Sequence, residues 1–157
     1  MVRKFIAALI ALAPAAAVTA QTVATSPAVD FNTARAAPGA WAYQSMPGGS
    51  MARFVDTAGT ARLVLQCTRA TRRVGVSLTS AAPAASLSLW TSTASRNLPA
   101  RFEPNAMRVT AELPAFDALL DAIAFSRGRI AVTMAGGVPL VVPAWPEAAR
   151  TIEDCRI

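Results

Sequence analysis

The chain has 157 residues, 54% apolar and 15% charged, with 15 Lys plus Arg against 9 Asp plus Glu. This is enough apolar material for the core of one domain and excludes wholesale disorder. Histidine is absent and only two cysteines occur, which removes Ser-His-Asp and Cys-His catalysis and leaves few ligands for zinc or copper.

The chain opens on an address. Arg3 and Lys4 precede the unbroken apolar run Phe5–Ala13, which Pro14 ends. The pattern predicts a secretory signal peptide over residues 1–20, with Val18 and Ala20 at the −3 and −1 positions, or Ala15 and Ala17 as the alternative. A membrane anchor needs about 20 apolar residues, more than this run supplies. No cysteine follows for lipidation and no twin arginine is present, so the expected location is periplasmic or secreted. Removing the leader also removes Lys4, the only lysine, and leaves 13 arginines against 9 acids. No later apolar run reaches spanning length, so no membrane span is expected after processing.

Residues 21–40 are rich in Ala, Thr, Ser and Pro and read as a flexible arm. A single disulfide-closed domain is expected over 41–157. From Trp41 to Leu113 the apolar period is mostly two, which predicts strands. They fall at Trp41–Ser45, Ser50–Asp56, Ala61–Cys67, Arg73–Ser80, Ser86–Thr91, Asn97–Phe102 (weakened by Pro99) and Met107–Leu113. In the last of these Met107, Val109, Ala111 and Leu113 align. Pro114 then opens a helix to about Ser126, with Phe116, Leu119, Leu120 and Ile123 on one face and Gly128 as a left-handed stop. Arg129–Met134 and Val138–Val142 form a hairpin. Pro146 suits the first turn of a C-terminal helix that carries Cys155. The expected fold is mainly β, an antiparallel sandwich or barrel-like sheet with two short helices, one between late strands and one C-terminal.

Cys67 and Cys155 read as a disulfide, because an even count in an exported chain favours pairing. The alternation of Leu63, Leu65 and Cys67, and the three-residue spacing of Ala149, Ile152 and Cys155, turn both sulfurs inward. A redox pair would use Cys-x-x-Cys spacing. No nucleotide-binding loop is present, and no cofactor or metal is implied.

Arginine is the distinctive polar signal. Arg53, Arg62, Arg69, Arg72 and Arg73 fall on consecutive hairpin elements, and an antiparallel pairing is expected to bring Arg62 and Arg73 onto neighbouring strands of one outer face. Guanidinium groups bind phosphate or carboxylate bidentately, so the face is a candidate anion- or partner-binding site. The same residues also supply every cation that solubility needs. Trp90 has outward parity against Leu87 and Leu89. It is read as core covered by the helix, with a partner contact as the other reading. Trp41 and Trp145 are expected to seal the two ends of the domain. Asp117 and Asp121, four apart, form a candidate carboxylate pair, though acids on an exposed helix face are ordinary solvation.

The stretch from Asp117 (DALLDAIAFSRGRIAV), followed by VPAWPEAARTIEDCR to Arg156, resembles uncharacterised small exported proteins of alphaproteobacteria. The order of strands and helix, and the terminal helix ending in cysteine, resemble the invasion-associated locus B group of secreted β-sandwich proteins. This chain departs from that group in having two cysteines. The resemblance implies an envelope location and a β-rich domain, and carries over no functional residue. The expected function is a non-catalytic periplasmic module that binds an envelope protein, an anionic lipid or an acidic glycan, with no role in nucleic-acid binding. The alternatives are a small carboxylate-dependent glycan hydrolase, and an inhibitor or adaptor of another exported protein.

Overall fold

Alternation of apolar and polar residues lays out the strands, and their pairing sorts them into two antiparallel sheets. The computed structural model describes residues 30–157; the expected signal peptide, and the expected arm as far as residue 29, lie outside the described residues. Strands β1 (Gly39–Met46), β2 (Gly49–Asp56), β3 (Ala61–Thr68) and β4 (Arg73–Thr79) form a meander. Strand β8 (Arg108–Pro114) pairs with β4, and β7 (Arg101–Glu103) closes this six-stranded sheet in the order β1-β2-β3-β4-β8-β7. The second sheet runs β10-β9-β5-β6, from β5 (Ser86–Trp90), β6 (Ser95–Pro99), β9 (Arg129–Met134) and β10 (Leu140–Pro143).

The inner faces of the two sheets share one core. Phe54, Leu63, Leu65, Val74 and Val76 from the first sheet meet Leu87, Leu89, Val132 and Val142 from the second. Helices α1 (Ala118–Ala124) and α2 (Pro146–Glu153) add Leu119, Leu120, Ile123 and Ile152. At about 1.5–3 kcal/mol for each fully buried large apolar side chain, this shared core is the main source of stability. The fold is therefore a mainly β, sandwich-like domain with two short helices, as expected.

Four local expectations change. Asn97–Phe102 is not one strand. Pro99 lacks a ladder donor and ends the edge strand β6, Ala100 turns on a hydrogen bond from its amide to Ala85 O (2.9 Å), and Arg101 starts β7 in the other sheet. The first helix does not begin at Pro114, which still pairs with Arg73 in β8. Asp117 is its N-cap, accepting from Leu119 N at 2.8 Å, so Phe116 lies outside the helix and is 65% exposed. The helix ends at Ala124 with Phe125 as its C-cap, short of Ser126, so Gly128, at a positive φ of 98°, serves the turn into β9 and is not the helix stop. Met107 is left-handed and 47% exposed instead of continuing the apolar row of β8.

Cys67 and Cys155 are disulfide-bonded, with Cα atoms 5.4 Å apart and a sequence separation of 88. In the chain-entropy account, closing so long a loop destabilises the unfolded chain by roughly 4–5 kcal/mol. Cys155 sits in the turn just past α2, its amide bonded to Ile152 O at 3.1 Å, and not in the helix itself. Opposite Cys67 the backbone of β2 comes so close that a side chain at Gly49 would collide with the Cys67 carbonyl.

Trp41 is buried, and its indole nitrogen donates to Pro143 O at 2.8 Å, linking the two sheets. Trp145 seals nothing: it is the extended residue before α2 and 43% exposed. Asp30–Ala40 is not free. The Ala37 amide donates to Val141 O at 2.7 Å, Arg129 donates to Asn32 O, and Gly39 already pairs with Asp56.

Candidate functional site

The register of the first sheet decides which arginines meet. Arg62 and Arg73 do share its outer face. However, Arg73 is opposite Thr68 at the turn end of the β3–β4 hairpin, while Leu63 is opposite Leu78 at the other end. Thr68 is six steps along the strand from Arg62, about 20 Å at 3.3–3.4 Å per residue. The two arginines are not neighbours.

The remaining expected members disperse as well. Arg53 donates to Gln44 Oε1 at 3.3 Å across the β1–β2 pair. Arg62 is the extra residue of a bulge, where Phe54 pairs with Leu63 and Val55 with Ala61, and it pairs with Asp56 at 3.4 Å. Asp56 also accepts from the amides of Ala58 and Thr60. The Thr60 amide does most to hold its carboxyl below the ordinary value. Arg69 donates to Asp154 O at 3.2 Å, fastening the β3–β4 turn to the end of α2. Arg72 is exposed and left-handed (φ 49°) in that turn, its carbonyl accepting from Ala115 N.

A different set gathers around Arg73. On the outer face of β4 and β8, Gly75 is opposite Glu112, Ser77 opposite Thr110 and Thr79 opposite Arg108, while Arg101 of β7 is opposite Thr110. Between them lies a polar groove of about 230 Å³, also lined by Gln66, Thr68, Thr71 and Glu103. Gly75 leaves its floor low. Ser77 Oγ and Thr110 Oγ1 share a hydrogen bond of 2.9 Å beside it.

Glu112 organises the charges. Its Oε1 accepts from Arg101 Nη2 at 2.9 Å and its Oε2 from Arg73 Nε at 3.2 Å. The hydrogen bond from Arg101, reinforced by Arg73, holds the Glu112 carboxyl below its ordinary value against the opposing effect of burial. Arg101 also reaches Glu103 at 3.5 Å. Among the described residues, Arg108 has no ion-pair partner. Three guanidinium groups thus face two carboxylates, with N–H donors to spare. Parity along β8 already turned Arg108, Thr110 and Glu112 outward. What the sequence does not supply is the long-range β4–β8–β7 pairing that sets them beside Arg73.

The candidate carboxylate pair is not assembled into a cleft. Asp117 is held by Arg96 at 2.6 Å and caps α1, and Asp121 is held by Arg156 at 2.6 Å. Arg156 also pairs with Glu153 at 3.0 Å on the terminal turn.

Trp90 is not core. It is half-buried on the outer face of the second sheet, and its cover is Phe31, with ring centroids 5.3 Å apart. Composition had assigned Phe31 to the arm. Trp90 and Phe31 wall a second groove of about 350 Å³.

Among the described residues no helix is long and apolar enough to cross a membrane. The fold and the site define a disulfide-closed β-sandwich with a charged groove on one outer face. No family model, curated protein or solved structure matches the chain.

Proposed function

We propose that this is an exported, non-catalytic binding module of the cell envelope, whose groove on the first sheet takes the carboxylate or phosphate group of a partner. Arg108 carries the reading: it brings a guanidinium without a carboxylate partner among the described residues to a groove where Glu112 already positions Arg73 and Arg101. A planar guanidinium donates bidentately to an oxyanion, and the Ser77–Thr110 pair adds a hydroxyl proton free to donate. The two glutamates reject nonspecific polyanions and leave room for one anionic group held in register.

The test is titration calorimetry with a glucuronate oligosaccharide and with inorganic phosphate, at low and physiological salt. One of them binds, and added salt weakens it. The Arg101→Ala, Arg108→Ala double variant loses affinity by about tenfold or more, while Arg62→Ala, at the far end of the sheet, retains it. Equal loss from Arg62→Ala, or no binding of either probe, refutes the reading.

A further inference from the structure

The second groove lies on the opposite outer face of the sandwich and differs in chemistry. We propose that it is a binding site for an uncharged pyranose sugar, with Trp90 as the stacking platform.

Register assembles it. Trp90 of β5 is opposite Ala131 of β9 and Ser95 of β6, and Ser88 is opposite Thr133 and Asn97. The small Ala131 leaves the space beside the indole open, and Phe31, tilted at 53° to it, braces the ring from the arm. The wall is therefore an aromatic plate, and the fringe is hydroxyls and a carboxamide. The Ser88–Asn97 contact, at 3.5 Å, is too long to satisfy either group, so both keep capacity for a ligand.

Charge narrows the occupant. Arg96 is the ionised residue lining this groove, and Asp117 neutralises it at 2.6 Å. An acidic group gains no free cation here, and a plain hydrocarbon leaves Ser88 and Asn97 without partners, a cost it cannot offset. A pyranose ring offers an apolar C–H face to lie on the indole and a rim of hydroxyls that both donate and accept. At about 350 Å³ the groove is at the small end of ligand pockets, with room for one or two rings. This site is independent of the arginine groove: it is on another sheet and its ligand is neutral.

Saturation-transfer NMR on the purified protein tests it, using neutral trisaccharides of glucose, galactose, mannose and N-acetylglucosamine. At least one receives transfer at its ring C–H protons. Trp90→Ala weakens that sugar by about tenfold or more and Trp90→Phe by less. Asn97→Ala, which leaves the aromatic wall in place, weakens it severalfold and serves as the deciding variant if Trp90→Ala does not fold. The proposal is overturned if no neutral sugar receives transfer at about 10 mM. That is the result expected if the groove is filled by the chain's own residues ahead of Asp30 or by a protein side chain. Binding that survives both Trp90→Ala and Asn97→Ala overturns it equally.

Discussion

The Tyr43 hydroxyl donates to Asp154 Oδ2 at 2.6 Å, tying the first strand to the turn that carries Cys155. The Arg150 guanidinium lies 4.1 Å over the same tyrosine ring, a cation–π contact, and Arg69 holds the Asp154 carbonyl from the other side. The end of the chain is thus clamped noncovalently next to its crosslink. Removing the hydroxyl in Tyr43→Phe is expected to cost about 1 kcal/mol, since the carboxylate keeps access to water. Urea denaturation of the oxidised protein measures it.

The same clamp sets a pH dependence. Burial alone would raise the Asp154 carboxyl, but the Tyr43 hydrogen bond, the nearby Ser50 hydroxyl and the charges of Arg150 and Arg69 together outweigh it and bring it below its ordinary value of 3.8. Glu112 lies below its ordinary 4.5 through Arg101 and Arg73. A carboxylate depressed in the fold contributes stability that is complete above its unfolded value and is lost as pH falls through the folded one. Stability is therefore expected to be flat from neutrality to about pH 5 and to fall below about pH 4.5. Tyr43→Phe makes the acid decline shallower. Melting temperatures between pH 7 and pH 2.5 record both effects.

Reduction removes the constraint on the unfolded chain. The Cys67→Ala, Cys155→Ala double variant, or the protein in excess thiol, is expected to lose roughly 4–5 kcal/mol, a large part of the net stability of a domain this size. Equilibrium unfolding with and without reductant provides the comparison. Tyr43→Phe is expected to be more harmful in the reduced protein, where the clamp acts alone.

Much of this fold is legible in the sequence because parity is local. The alternation in Ala61–Cys67 and Arg73–Ser80 assigns each residue to a face without reference to any partner strand. Parity does not give height along the strand. An antiparallel hairpin pairs the residues nearest its turn, so Thr68 meets Arg73 and Arg62 is carried to the far end. The groove was hidden for a related reason: Arg101 and Arg108 reach Arg73 only through pairings between strands distant in the chain. Phe31 was missed because a segment of small and polar residues reads as unstructured whatever single aromatic it contains. The i, i+3, i+4, i+7 spacing of Phe116 extended the helix too far back, since spacing is blind to a cap.

That cap gives a further test. Asp117→Ala loses the bond to Leu119 N together with the Arg96 ion pair and is expected to destabilise by about 1–2 kcal/mol. Asp117→Asn keeps a capping oxygen and is expected to stay within about 0.5 kcal/mol of the parent. Thermal unfolding of the two variants side by side separates capping from charge.

Arginine side-chain NMR, following the Nε–H signals while glucuronate or phosphate is added, reads anion binding at individual guanidinium groups. Signals of Arg73, Arg101 and Arg108 are expected to shift together and saturate with one binding constant, while those of Arg53 and Arg62 stay still. Uniform small shifts across all arginines, or saturable shifts centred on Arg62, would contradict the assignment of the anion to the groove between β4, β7 and β8.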